Sequence, residues 1–140
     1  IRTVAWDCQI GIASVREIDR LNILKASLLA MKRAVLRLKL RPDLVLVDGN
    51  QEIRDLFIPQ RAIIQGDSKC LAIAAASIVA KVWRDTLIMR LGKKYPVYDL
   101  TKNKGYATKK HKQGIANYGV SPQHRLSFSP CRPSLGALRN

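Results

Sequence analysis

Apolar residues recur at steps of three and four along the first third of the chain, at Ile18, Leu21, Leu24, Leu28, Met31, Val35 and Leu38. That spacing lays them on one face and predicts a single amphipathic helix of about twenty residues. Ser14 is placed to cap it, with Glu17 in capping-box spacing. Arg37, Lys39 and Arg41 fall in the expected last turn, where cations suit the helix dipole, and Pro42 stops the run. Before the helix, residues 3–13 alternate loosely, with Val4, Trp6, Ile10 and Ile12, and predict a strand. After it, Leu44-Val-Leu-Val47 is continuously apolar, as in a strand buried on both faces. Residues 51–60 read as a polar connection. Residues 62–64 form a second short strand, broken at Gly66. A long helix is expected from about Leu71 to Leu91, ended by Gly92 and Pro96. Its first half is rich in alanine, and small side chains let a helix lie close on a sheet. Residues 109–118 predict one more helix, closed by Gly119. The tail from Ser121, with Pro122, Pro130 and Pro133, reads as extended.

Strand, helix, strand, strand, long helix and basic tail form an α/β order. In such folds the site lies at the carboxyl edge of the strands. Two strands here end in acids: Asp43-Leu-Val-Leu-Val-Asp48-Gly-Asn50, and Ala62-Ile-Ile-Gln-Gly-Asp67-Ser68.

Charge makes those acids informative. The 140 residues carry 25 Lys and Arg against 10 Asp and Glu, a formal net charge of +15. Such an excess calls for a polyanion, nucleic acid first and an anionic membrane surface second. From Leu100 onward there is no acid, while Lys102, Lys104, Lys109, Lys110, Lys112, Arg125, Arg132 and Arg139 lie there. No apolar run is long enough for a membrane span. No signal peptide is visible, which fits the cytoplasm, although the first residue is not Met. Cys8, Cys70 and Cys131 show neither metal-ligand spacing nor a disulfide framework, and read as reduced thiols.

Asp48 alone reads as a turn residue, in Asp-Gly-Asn, and Asp67 alone as a helix N-cap. Together, each following an apolar strand, they can face one crevice and hold hard cations such as Mg2+ with substrate phosphate. Lys102-Asn-Lys-Gly-Tyr106-Ala-Thr-Lys-Lys-His111 reads either as a solvated basic loop or as a backbone clamp. In the clamp, Lys104 and Lys109 meet phosphates, Gly105 allows close approach and Tyr106 offers a ring to a sugar or base. His111 and His124 read as surface or phosphate contacts, and Asp85 as a structural partner of Arg84 or Lys81.

These segments, together with Glu17-Ile-Asp-Arg-Leu-Asn-Ile-Leu24, Ala74-Ala-Ala-Ser-Ile-Val-Ala-Lys-Val82 through Arg84-Asp85, and His124-Arg-Leu-Ser-Phe128, resemble bacterial ribonuclease HII over nearly the whole chain. The resemblance implies a ribonuclease H-like sheet flanked by helices. It implies an endonuclease that cuts the RNA strand of RNA–DNA hybrids, and cuts at ribonucleotides embedded in DNA, using Mg2+ or Mn2+. The product carries a 5′-phosphate, and a monomer is expected. Asp48 and Asp67 match the third and fourth of four catalytic, metal-binding acids. Tyr106 matches the tyrosine that packs on the sugar beside the ribonucleotide.

The chain departs from the family pattern in lacking the adjacent Asp-Glu pair and the Gly-Arg-Gly segment. It also has Asp99 and Asn103 where the family more often shows glycine and histidine. The first two strands of the sheet are therefore expected to be absent, leaving open sheet edges. Residues 1–100 are expected to form a partial core and residues 101–140 a basic substrate-binding region. The chain alone is expected to be an inactive C-terminal portion. The alternative is a non-catalytic basic nucleic-acid-binding protein, which keeps the lysines and Tyr106 and needs no metal.

Overall fold

The computed structural model describes residues 1–131. The chain divides into two compact units, Ile1–Lys81 and Val82–Asn140.

In the first unit Ser14 accepts the Glu17 amide, and the Glu17 carboxylate accepts the Ser14 amide at 2.8 Å, so the capping box starts α1 (Val15–Leu21). The single helix expected here is two. Asn22 adopts φ 71° and ψ 168°, a positive-φ extended conformation that side chains disfavour, and ends α1. Its side chain then accepts the Lys25 amide at 3.1 Å and opens α2 (Ile23–Leu36). The apolar spacing survives the break: Leu28, Met31 and Val35 pack on the core. α2 ends ahead of Pro42, with Arg33 in its last turn and Arg37 as its C-cap.

Residues 3–13 are not a strand. A strand needs a ladder, and among the described residues no segment pairs with this one. Its carbonyls are satisfied from α2 instead: Arg37 donates to Ile10 O at 2.8 Å and Arg33 to Ile12 O at 2.7 Å. The Lys39 amide donates to the Asp7 carboxylate, which holds that carboxyl below its usual range. Trp6 is left 94% exposed.

β1 (Val45–Asp48) and β2 (Gln60–Ile63) are parallel, in the register Val45↔Gln60 through Asp48↔Ile63. The described residues form this one two-stranded sheet, so both outer edges are unpaired there, as expected. Val45 and Val47 point into a core shared with Ile53 and Leu56. The crossover, residues 49–59, is thus not simply polar. It holds its shape through Gln60, whose amide acts like a strand partner. Gln60 Oε1 accepts the Ile53 amide at 2.8 Å, and Nε2 donates to the carbonyls of Ile53 at 3.0 Å and Leu56 at 3.2 Å.

After β2, Gln65 turns left-handed and a single turn, α3 (Gly66–Lys69), precedes α4 (Leu71–Lys94). Ile73 is buried, but Ala72, Ala76, Ser77 and Ala80 are exposed, so the alanine-rich stretch does not lie tightly on the sheet. α4 runs through Gly92 and stops ahead of Pro96.

In the second unit a 3-10 turn (Pro96–Tyr98) leads into α5 (Leu100–Asn103) and then α6 (Lys109–Tyr118). Thr108 caps α6 and Gly119 ends it at φ 75°. Tyr98, Leu100, Ile115 and Cys131 form the core, with Ile88 and Leu91 from α4 packed on it. Residues 121–131 are not extended. They turn at Ser121–His124 and at Arg125–Phe128 and finish in a 3-10 turn (Ser129–Cys131) that buries Cys131. Pro133, Arg132 and Arg139 lie outside the described residues. Cys8, Cys70 and Cys131 form no disulfide. Among the described residues no helix is long and apolar enough to cross a membrane.

Candidate active site

Asp48 is the last residue of β1, and its side chain emerges exposed at the carboxyl end of the sheet. The Gly66 amide donates to its Oδ1 at 2.8 Å. This bond ties the start of α3, the turn that carries Asp67, to the end of β1. Gly66 packs closely here: a Cβ would sit 2.6 Å from Ile73 Cδ1 and 3.3 Å from Asp48 Oδ1, so the Ile73 side chain would have to shift. Asp67 lies in the first turn of α3 and is exposed. It is not the N-cap: that position is Gln65, which makes no side-chain cap bond. Lys69 donates to Ile64 O at 2.8 Å and closes the turn. One strand end and one helical turn therefore present two carboxylates, one steadied by a backbone amide.

Hard oxygen donors of this kind suit Mg2+ or Mn2+, ions that take one or two carboxylates and complete their shells with water and phosphate. The set fits such an ion as an open half-shell and not as a closed cage. Among the described residues no group of three or more His, Cys, Asp and Glu side chains is gathered to hold a metal ion.

The second unit carries the basic loop. Lys104 ends α5 at φ 51°, Gly105 follows at φ 84°, and the Tyr106 amide returns to Asn103 O at 2.9 Å. Tyr106 is 66% exposed, with the Arg84 guanidinium 5.9 Å from its ring centroid. Lys109 and Lys110 open α6, where cations oppose the helix dipole; Lys110 reaches Asp99 at 3.3 Å, and Lys109 is exposed. Asp85 lies 3.5 Å from Arg84, in keeping with a structural role.

The two histidines are less exposed than a surface reading implies: His111 is buried and His124 half-buried. His111 is buried, and its Nδ1 donates to the Tyr98 carbonyl at 3.1 Å. His124 Nδ1 accepts the Ser121 amide at 3.0 Å, which leaves the hydrogen of the neutral ring on Nε2, a buried atom with no hydrogen-bond partner among the described residues. The rings of His111 and His124 are 5.3 Å apart, and Tyr98 meets His124 edge-on at 4.6 Å. Burial first, and the neighbouring His111 second, lower the His124 pKa. The sequence marked both as polar among lysines and gave no sign of this aromatic cluster. It gave no sign of the Gln60 clamp either, since an isolated glutamine after a proline carries no periodic signal.

The family profile for Ribonuclease HII matches residues 4–131. The chain belongs to the ribonuclease HII family. It is 91% identical over 140 residues to Ribonuclease HII of Trichodesmium erythraeum (strain IMS101), covering all of this chain and 66% of that protein. It is 59% identical over 134 residues to Ribonuclease HII of Nostoc sp. (strain PCC 7120 / SAG 25.82 / UTEX 2576), covering 96% of this chain and 60% of that one. The chain thus spans about two thirds or less of these ribonuclease HII relatives. The crystal structure of the ribonuclease H2 from Pyrococcus horikoshii OT3 superposes with a TM-score of 0.72 at 22% identity, over 91% of this chain and 67% of that one. This likeness bears out the α/β ribonuclease H-like fold expected from the resemblance.

Proposed function

We propose that this chain supplies half of a metal-dependent endonuclease site together with a nucleic-acid clamp. The substrate is an RNA–DNA hybrid or duplex DNA containing ribonucleotides, and the setting is the cytoplasm, in DNA replication and repair. The observation that carries this reading is the bond from the Gly66 amide to Asp48 Oδ1, which ties the turn bearing Asp67 to the strand end bearing Asp48 in a strongly basic chain.

Asp48 and Asp67 are the catalytic, metal-binding acids. They would hold Mg2+ or Mn2+, which when bound would supply an activated water and charge neutralisation at the leaving oxygen. The Gly66 amide orients the Asp48 carboxylate, leaving its second oxygen to face solvent. Tyr106, Lys104 and Lys109, in a region of residues 101–140 without an acid, bind the substrate. The lysines neutralise phosphates, and Lys109, which opposes the dipole of its own helix, is favoured there when a phosphate sits at that terminus. Tyr106 offers an exposed ring to a sugar or base. Two carboxylates are few for two-ion chemistry, so the 140-residue chain on its own binds hybrid and does not turn it over.

Paramagnetic broadening by Mn2+ tests the metal half. In the 140-residue chain the amides of Gly49, Gly66 and Asp67 should broaden at low Mn2+, and Asp48→Asn should abolish this while hybrid binding survives. Broadening unaffected by Asp48→Asn would remove the site. Hybrid binding without any Mn2+ effect would favour the non-catalytic binder, and cleavage by the 140-residue chain would contradict the half-site reading.

A further inference from the structure

We propose that Asn103 is a positioning residue that sets the Tyr106 ring for its contact with nucleic acid; the inference rests on the reading of Tyr106 as a substrate contact. Asn103 is 7% exposed, at the end of α5, and its amide faces two ways. Nδ2 donates to the buried Tyr98 carbonyl at 2.7 Å, and Oδ1 accepts the Gly105 amide at 2.8 Å. Its own carbonyl accepts the Tyr106 amide at 2.9 Å. One residue therefore connects the core of the second unit to both residues that set where the ring emerges.

The loop needs such a tie. Lys104 and Gly105 are consecutive residues with positive φ, and for Lys104 this is a conformation that L side chains disfavour. Packing does not fix the Tyr106 ring, which is mostly exposed, so its direction follows its backbone. From the far side the Thr108 amide donates to Tyr106 O at 2.8 Å, and Thr108 caps α6. On the near side the bonds come from Asn103. An amide is the suitable group, because the tie needs a donor toward Tyr98 and an acceptor toward Gly105 on one short side chain. The Tyr98 carbonyl also receives His111 Nδ1, so loss of Asn103 leaves that carbonyl satisfied and the core in place. What is lost is the latch on Gly105.

A double-mutant cycle on the 140-residue chain tests this, with binding of a labelled RNA–DNA hybrid read by anisotropy. Tyr106→Ala should weaken binding by about 5- to 100-fold, the range of one ring stacked on nucleic acid. Asn103→Ala should lose most of the same factor, and in the Tyr106→Ala background it should cost nothing further, because it acts through that ring. The salt dependence of binding should match wild type for both alanine variants, since the lysines are intact. Additive losses, or a neutral Asn103→Ala beside a damaging Tyr106→Ala, overturn the proposal and leave the substrate reading standing. A neutral Tyr106→Ala, or no binding by wild type, overturns the substrate reading. Amide exchange then decides the positioning role without ligand. In Asn103→Ala, exchange should quicken at Gly105 and Tyr106 and stay unchanged at Ile115. Unchanged exchange at Gly105, or equal loss of protection at Ile115, overturns it.

Discussion

The two units solve the same problem with opposite materials. In Ile1–Lys81, apolar side chains are plentiful and much of the apolar surface stays in water, including Trp6, Leu44, Phe57, Ile64 and Leu71. Its order depends on a small core and on polar ties at the surface, such as Glu17 with Arg33 and Gln60 with the crossover. In the second unit the polar side chains are drawn inward. Asn103, His111 and Ser121 are buried around Tyr98, and the cations stand outside. The difference teaches where each function can sit. A carboxylate pair needs an exposed edge that backbone amides hold still. A nucleic-acid clamp needs a rigid interior under a mobile, charged rim.

The largest effect that would break this comparison is expected at Val47, which is 2% exposed. Val47→Asp places an unpaired charge in the first core and should cost about 3–5 kcal/mol. Amide exchange should show β1 and β2 losing protection while Tyr98 and Ile115 keep theirs; equal loss in both units would mean that they share one core. Next is Gln60→Leu, which leaves the Ile53 amide and carbonyl unpaired and should cost about 1–3 kcal/mol in urea unfolding. A neutral result would show that Ile53 and Leu56 hold the crossover by packing alone. Ser14→Ala removes the cap of α1 and should cost about 1 kcal/mol, read as a lowered melting midpoint.

The smallest effect is a separation in pH. The folded His124 has a lowered pKa, so below the ordinary value of 6.5 the unfolded chain binds more protons than the folded one. The second unit should lose stability as pH falls from 6.5 toward the lowered value, and His124→Phe should remove that dependence. In the first unit the side-chain bond to Arg33, followed by the bonds to Ser14, holds the Glu17 pKa at about 2 against 4.5. Its contribution is complete above pH 4.5 and is lost only as pH falls toward 2. Exchange followed from pH 7 to 3 should therefore show the second unit loosening first; simultaneous loosening would erase the distinction.

Much of the fold was legible because it depends on periodicity and punctuation. Ser14 with Glu17, the apolar run before Asp48, and Thr108 through Gly119 are local signals, and the structure follows them. The misreadings share a cause. Residues 3–13 alternate like a strand, but alternation says only that a ladder would suit, not that a partner exists. Asn22 interrupts a helix whose apolar spacing continues through the break, so period alone could not reveal it. His111 and His124 were read from lysine-rich neighbours, while their burial is decided by Tyr98, far from His124 in sequence. At the candidate site, the two aspartates were visible as strand exits. The bond that ties the Asp67 turn to Asp48 comes from the Gly66 backbone amide, a group no sequence pattern can single out.

The short span of the Asp48 arrangement has a consequence in time. The strand pairing and the Gly66 bond that shape it, from Val45 to Ile73, lie within one brief stretch of chain. Closing loops of that length costs little entropy beyond the first contact, and contacts near in sequence form quickly. On refolding, this edge can therefore form early, ahead of contacts between residues far apart in sequence.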